Sequence, residues 1–551
     1  MKGPRNPLLA FIFLFAFSAL GFASASDVYI TPDGSSQGVC TTNPQTPAWF
    51  NSGSNWGSGA SQIGPGTKVH LCGTITAELT AQGNGSSGAP ITIFFESSAK
   101  ISVPACDNTN GCLNIDSKSY IVIDGGTACG PVTSCASNEE ANGIGTPQTG
   151  TIESTLNGTS GGPCAAGPCS MGVSSRGISA VNATNIEIKN LIVRNMYVHS
   201  SSNDIPNLSS DSGILSFQGT NSVSYAIHDS TIHDGRELIT YAPGNSDVGP
   251  QFYNVNLFHT AGAIKIAGSN SNSQLHSLIV HDSHIHDLFN WDAGDCVHAF
   301  HLDGIHMWGL SGGVNQNISF YNNLIDGNFG RCQTGTVFFE GENDNVQIYN
   351  NVVMTTYTQN NNGMVNVNGT NFQVYNNTID GAESGGDLCF NVGRPSGSPA
   401  IKFQNNIVAG CNTLILTQNN PTIQVWDQNV YGQCSNTGCN SGTPFVVNGG
   451  AGFYSFAQWK AFCSNCDSHS QYGAAMTFAG LNADGSLQSS SPAVGLGANL
   501  YGLGMTVLDS DTSDGDIRTP TSRPTSQAWD GGAFNYGTKP NPPTALTATV
   551  K

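Results

Sequence analysis

ISFYNNLIDG (318–327), VQIYNNVVMT (346–355), FQVYNNTIDG (372–381) and IKFQNNIVAG (401–410) are variations on one phrase, apolar-x-apolar-x-Asn-Asn-x-apolar. Weaker copies lie upstream, IEIKNLIVRN (186–195), YAIHDSTIHD (225–234) and LIVHDSHIHD (278–287), and one follows, IQVWDQNVYG (423–432). Marked at the last apolar position, the phrases fall at Ile325, Val353, Ile379, Val408 and Val430, so the gaps are 28, 26, 29 and 22 residues. Between them stand shorter segments of the form Gly-apolar-x-apolar-x-Gly: GILSFQG (213–219), GAIKIAG (262–268), DGIHMWG (303–309), GTVFFEG (335–341) and GMVNVNG (363–369). Period-two alternation over four to six residues, bounded by Gly and Asn, predicts short strands. Two or three such strands per coil, recurring every 22 to 30 residues, predict a parallel β-helix. Parallel crossovers are nearly always right-handed, so the expected coil is right-handed. The fold class is therefore all-β, a right-handed parallel β-helix.

A single coil cannot close its own core; stacking Ile on Ile and Val on Val does that. The first Asn of each phrase (Asn322, Asn350, Asn376, Asn405) is expected to stack at one corner, where side-chain amides bond along a ladder. The ends differ from the middle, as solenoid caps must. Residues 26–88 are expected to cap the first coil, 89–432 to form the β-helix, and 433–538 to form a C-terminal cap region with a helix within 453–470. KPNPPTALTATVK reads as a Pro-rich tail, 539–551.

Residues 1–25 read as a signal peptide: Lys2 and Arg5, then a 15-residue apolar run, LLAFIFLFAFSALGF, then the small residues Ala23-Ser24-Ala25. That run is short for a membrane span, and no later stretch is apolar enough. The expectation is a secreted protein without a membrane span. Sixteen cysteines suit an oxidising compartment. They fall into the pairs Cys40/Cys72, Cys106/Cys112, Cys129/Cys135, Cys164/Cys169, Cys296/Cys332, Cys389/Cys411, Cys434/Cys439 and Cys463/Cys466, which read as disulfide staples. Zinc grammar of the CxxC…CxxC kind is missing. Loss of Lys2 and Arg5 leaves 16 basic residues against 37 acidic, a net charge of −21. That argues against nucleic acid as a partner, but a local cationic cleft is compatible with it. A monomer is expected.

Stacking lets alignment stand in for geometry, because equivalent residues of adjacent coils lie about 4.8 Å apart. Registering the second strands on their closing Gly puts Leu215, Ile264, Ile305, Val337 and Val365 in one inward column, with Phe217, Ile266, Met307, Phe339 and Val367 in another. The alternate columns face outward. One holds Ser216, Lys265, His306, Phe338 and Asn366; the other holds Gln218, Ala267, Trp308, Glu340 and Asn368. A scarce Lys beside His, Glu and an exposed Trp predicts a groove on this face, since sugar rings stack on aromatics and these groups exchange protons. Asp303 would be buried by strict alternation, a cost for an unpaired charge, so it is expected at a corner reaching the groove rim. A second polar stack, His233/His286 with Asp234/His259/Asp287, reads as a solvated ladder.

The repeat resembles the pectate-lyase-like right-handed parallel β-helix superfamily over about residues 89–432. The resemblance implies chemistry on polysaccharides, with two lines to weigh. Polygalacturonases of this fold carry Asn-Thr-Asp-Gly-Ile-Asp, and His301-Leu302-Asp303-Gly304-Ile305-His306 stands at that place. Their Gly-Asp-Asp-Cys motif on the next coil is replaced by Gly335-Thr336-Val337, so the acid/base pair of a hydrolase is incomplete. Polysaccharide lyases and uronate epimerases use Lys, Arg, His or Tyr as a base beside a uronic carboxylate, often with calcium neutralising the acid. On that comparison Lys265 or His306 is the base and His301, Asp303 or Arg331 orients or neutralises. Glu340-Gly341-Glu342 only partly matches the Glu-x-Glu calcium pattern of chondroitinase-B-like lyases. The expected reaction is lyase-type β-elimination on a uronic-acid polysaccharide, with Lys265, His306, Asp303, His301 and Glu340 catalytic. Trp308, Arg331, Asn366, Asn368 and Gln218 are expected to bind substrate, and calcium is the metal such a site would use. The alternatives are a glycoside hydrolase or uronate epimerase, a zinc site at His298, His301, Asp303 and His306, and a non-catalytic adhesin or carbohydrate-binding surface protein.

Overall fold

The computed structural model describes residues 27–142, 148–156, 175–197, 212–217, 224–247, 249–267, 274–288, 296, 300–308, 313–330, 332–355, 363–381, 388–394, 397–434, 442–447, 451–464 and 466–536. Their strands pair in parallel, coil on coil, as a right-handed parallel β-helix, with one antiparallel pair, Phe445–Val447 on Gly452–Tyr454, at the C-terminal end. Three inward columns carry the core. One runs Val69, Ile93, Ile123, Ile188, Ile227, Phe252, Val280, Phe320, Ile348, Val374, Phe403 and Trp426. A second runs Ile178, Ile214, Ile239, Ile264, Ile305, Val337, Val365, Phe390, Ile415 and Phe445. A third includes Ile232, Leu257, Ile285, Ile325, Val353, Ile379, Val408 and Tyr431. These side chains are buried, so each rung removes apolar surface from water that one coil alone would leave exposed.

Several expectations shift by a residue or a coil. Parallel pairing begins at Val28–Ile30 on Lys68–Leu71, well before residue 89, and continues to Gln471–Gly473 on Val430–Gly432. Tyr431, not Val430, follows Val408 in the third column. The strand Ser212–Phe217 registers Leu215 with Thr240 and Ser216 with Tyr241, and Thr240 in turn pairs with Lys265. Ser216 is therefore one residue out of the Lys265 column. An intervening coil, Tyr225–Ala242, separates the two strands.

The continuous amide ladder is on the second Asn of each phrase; the first Asn contributes one step, Asn405 to Asn376 at 3.1 Å. Asn323 donates to Asn351, Asn351 to Asn377 and Asn377 to Asn406, each at 3.0 Å, and Asn406 to Asn429 at 3.3 Å. The first Asn instead makes the corner: Asn322, Asn350, Asn376 and Asn405 have φ of 53°, 55°, 49° and 59°. Asn and Asp adopt this left-handed conformation more readily than other side-chain-bearing residues. Turning the corner aims the first amide outward, where the C-terminal segment meets it. Asn405 donates to the Ala498 carbonyl, Asn376 to Asp530 and Gly532, and Asn350 to Ser510, while the buried Arg523 donates to Asn350. Residues 497–534 thus run back along one edge of the solenoid, and Gly515 reaches the Asn322 carbonyl.

Among the described residues six disulfides join the expected partners: 40–72, 106–112, 129–135, 296–332, 389–411 and 463–466. Cys164, Cys169 and Cys439 lie outside the described residues, as do the proposed signal peptide and the tail 539–551. Among the described residues no helix is long and apolar enough to cross a membrane. The polar stack at His233 is buried, not solvated. His233 sits between Asp234 (2.8 Å) and Glu139 (2.9 Å), and Arg194 bridges Glu139 (2.6 Å) and Glu153 (2.7 Å). Burial disfavours the His233 cation, but the two carboxylates outweigh it and raise its pKa.

Candidate functional site

Strand Leu302–Trp308 lies between Gln251–Ala267 and Gln333–Tyr349, with Ile264, Ile305 and Val337 in register and pointing into the core. Alternation then turns the next residues outward, so Lys265, His306 and Phe338 form one row. Trp308 follows on the same face, in register with Ala267. These residues line a cavity of about 490 Å³, together with Arg236, Glu237, Phe300, His301, Asp303, Thr334 and Glu340.

At its centre is His306, gripped from both ends. Its Nδ1 lies 3.1 Å from Asp303 Oδ2 and its Nε2 3.3 Å from Glu340 Oε2. The ring stacks on Phe338 with centroids 4.6 Å apart and planes at 15°, and tilts against Trp308 at 4.8 Å. Phe338 and the two carboxylates therefore fix the imidazole in place. Lys265 forms an ion pair with Glu237, and its Nζ stands 4.4 Å above the Trp308 ring. Thr240 holds the other Glu237 oxygen at 3.0 Å.

Asp303 does not sit at an outer rim. It occupies the row of Gly262 and Gly335, only 4% exposed, and the register slips by one residue just before it, with Leu302 on Gln333 and Asp303 on Gly335. The slip leaves Thr334 as an extra residue on the facing strand. Its hydroxyl donates to Asp303 Oδ1, as does the Gly335 N–H at 3.0 Å. The charge that strict alternation would bury unpaired thus has two hydrogen bonds on Oδ1 and the His306 ring beside Oδ2, which offsets the penalty. A Cβ at Gly335 would stand 2.9 Å from the Phe338 Cβ, so this turn of chain needs glycine.

The fold is a parallel β-helix. No protein-family model matches the chain, and no curated protein does. Among solved structures it is similar to pectate lyase Pel9A, at 12% identity over 94% of this chain and 97% of that one, TM-score 0.38. It is also similar to the GH136 lacto-N-biosidase from Eubacterium ramulus, at 8% identity over 81% and 67%, TM-score 0.41. A third is a mannuronic acid specific polysaccharide family 6 lyase from human gut microbiota, at 11% identity over 75% and 87%, TM-score 0.36. Likenesses this distant lend nothing to the chemistry, which rests on the β-helix's own side chains.

Of the residues singled out from sequence, Lys265, His306, Asp303, Trp308 and Glu340 meet in the cavity, and His301 lies exposed at its mouth. Asn366 and Asn368 are outside it. Asn366 continues the His306–Phe338 row but is 3% exposed, and Asn368 packs towards Gly393. Gln218, Arg331 and His298 lie outside the described residues. Among the described residues no three of His, Cys, Asp and Glu converge as a metal site. Sequence reasoning missed Arg236 and Glu237. The signal was present: IHDGRELITYA (232–242) aligns without a gap on LFHTAGAIKIA (257–267), which pairs Glu237 with Gly262 and Thr240 with Lys265.

Proposed function

We propose that this is a secreted, carbohydrate-active β-helix protein that cleaves a uronic-acid polysaccharide by β-elimination in the His306 cavity. The single observation that carries the reading is a histidine fixed by a buried carboxylate, beside a lysine that stands over a half-buried tryptophan. With Asp303 Oδ2 3.1 Å from His306 Nδ1, the proton of the neutral ring is favoured there, and Nε2, 3.3 Å from Glu340 at the cavity, is the basic nitrogen. It takes the proton α to the uronic carboxylate. The C–H electrons become the C4–C5 double bond as the C4–O bond breaks, and the departing oxygen takes a proton from water. Lys265 stabilises the negative charge that gathers on the carboxylate during proton removal. Trp308 offers the apolar face on which a pyranose ring stacks. The paired cysteines, and the lack of a membrane-length helix among the described residues, support an extracellular setting.

One observation favours a second reading. Glu237 and Glu340 are both in the cavity, so a carboxylate pair for glycoside hydrolysis is available there. The two part on products. Elimination leaves unsaturated ends that absorb in the ultraviolet, hydrolysis gives new reducing ends without that absorbance, and a binding protein leaves the polymer intact. Pectate, alginate and glycosaminoglycans, each with and without EDTA, form the panel. Ultraviolet-absorbing product that His306→Ala abolishes supports the lyase; reducing ends without absorbance overturn it.

A further inference from the structure

Two cations border the cavity, and they are not equivalent. Lys265 is committed to Glu237 by a close ion pair. Arg236 approaches the same oxygen, Glu237 Oε1, only to 3.6 Å, beyond hydrogen-bonding reach. Its guanidinium makes no hydrogen bond among the described residues, yet it is held in place by the Phe300 ring 4.1 Å from its central carbon. It is only 14% exposed, so it is a shielded, positioned fork of donors with nothing hydrogen-bonded to them. Glu237 cannot turn to satisfy Arg236, because Thr240 fixes its other oxygen.

We infer that Arg236 is the specificity-determining residue of this cavity, and that it takes a free carboxylate of the bound saccharide, not its ester or amide. The inference rests on the uronate reading above and sharpens it. A planar fork matches a carboxylate through two parallel N–H···O bonds, whereas an esterified acid carries no charge and has only its carbonyl oxygen as a good acceptor, the other being blocked by the alkyl group. Phe300 supplies the aromatic face that pre-orders the guanidinium, so little conformational freedom is lost when the anion arrives. Lys265 belongs to the chemical step; Arg236 belongs to recognition.

The test separates binding from turnover. Binding of free-acid and methyl-esterified uronate oligosaccharides is measured by calorimetry to His306→Ala, and to the same variant carrying Arg236→Gln or Arg236→Lys. Free acid is expected to bind the parent variant more tightly than ester. Arg236→Gln should weaken free-acid binding about 10- to 100-fold while leaving ester binding unchanged. Arg236→Lys keeps the charge but not the fork and should fall between. In the otherwise native protein, Arg236→Gln raises KM on the free acid with little change in kcat. Equal loss for acid and ester, or no loss for either, overturns the role of Arg236. If free-acid oligosaccharides bind with this Arg236 dependence and no unsaturated product forms, the lyase reading falls while the carboxylate reader stands.

Discussion

Replacing Asn377 by Leu removes one rung of the buried amide ladder while keeping the branching and number of side-chain heavy atoms. The Asn377 Nδ2 donates to the carbonyls of Ile348 (2.9 Å) and Tyr375 (3.1 Å) and to Asn406 Oδ1 (3.0 Å). Its Oδ1 accepts the Asn351 backbone N–H at 3.1 Å and the Asn351 amide at 3.0 Å. Tyr375 O keeps a second donor in the Asn350 N–H, and Asn406 Oδ1 keeps the Asn377 N–H. The Asn351 N–H loses its side-chain acceptor and the Ile348 carbonyl its side-chain donor, at about 1–3 kcal/mol each. Burying an apolar side chain returns roughly 2 kcal/mol, so the net loss is near 2 kcal/mol. At ~2.1 cal/mol/K per residue, a chain of about 500 residues unfolds with an entropy near 1 kcal/mol/K, and the melting temperature falls by about 2 °C. Calorimetry reads that shift. Hydrogen exchange should localise it, with protection lost around Asn351 and retained in the distant strand Ile91–Phe95. An unchanged melting temperature with the Asn351 amide still protected would refute the ladder's energetic role.

Four further outcomes are expected. Asn350→Leu strips the C-terminal segment of its Ser510 and Arg523 contacts, so limited proteolysis should cut within 497–534 faster than in the native protein, while Asn377→Leu leaves that segment protected. Asp514 is buried, and burial, with Asp484, Asp511 and Asp326 nearby, pushes its pKa up to about 8 despite Arg518. A carboxyl whose folded pKa is raised binds its proton more tightly when folded, so its contribution is complete below about pH 4 and is lost as pH rises to about 8; Asp514→Asn should flatten that loss in chemical denaturation run across this range. Asp303→Asn keeps the size of the side chain but replaces the oxygen that orients His306, and kcat should drop at least tenfold with the melting temperature nearly unchanged. Opening the disulfide Cys296–Cys332 with the double Ser variant should cost about 2–4 kcal/mol, read as a lowered denaturant midpoint.

The repeat was legible because every coil repeats the same physics. An apolar residue every second position, closed by Gly or Asn, fixes strand, face and stacking at once. The corner residues were harder. Asn-Asn does not say which amide turns in and which turns out, and that choice follows from the left-handed φ at the first of the two. The site divides the same way. Lys265, His306 and Trp308 fell together because alternation and register alone put them on one face. Asp303 was misjudged because a one-residue slip at Leu302, invisible in the phrase itself, carries its carboxylate beneath His306 and supplies Thr334 as its partner. Arg236 and Glu237 were overlooked because IHDGRELITYA has no closing Gly, although its apolar rungs align with the next coil. The C-terminal segment's long return along the Asn corner has no periodic signal at all.

The most direct test of the cavity as the working site is a crystal structure of the His306→Ala variant with a uronate oligosaccharide bound. One sugar is expected on the Trp308 face, with a carboxylate within hydrogen-bonding distance of Arg236 or Lys265 and its C5 hydrogen directed at the space left by the imidazole. A saccharide lodged elsewhere on the solenoid, with this cavity holding only solvent, would contradict the account.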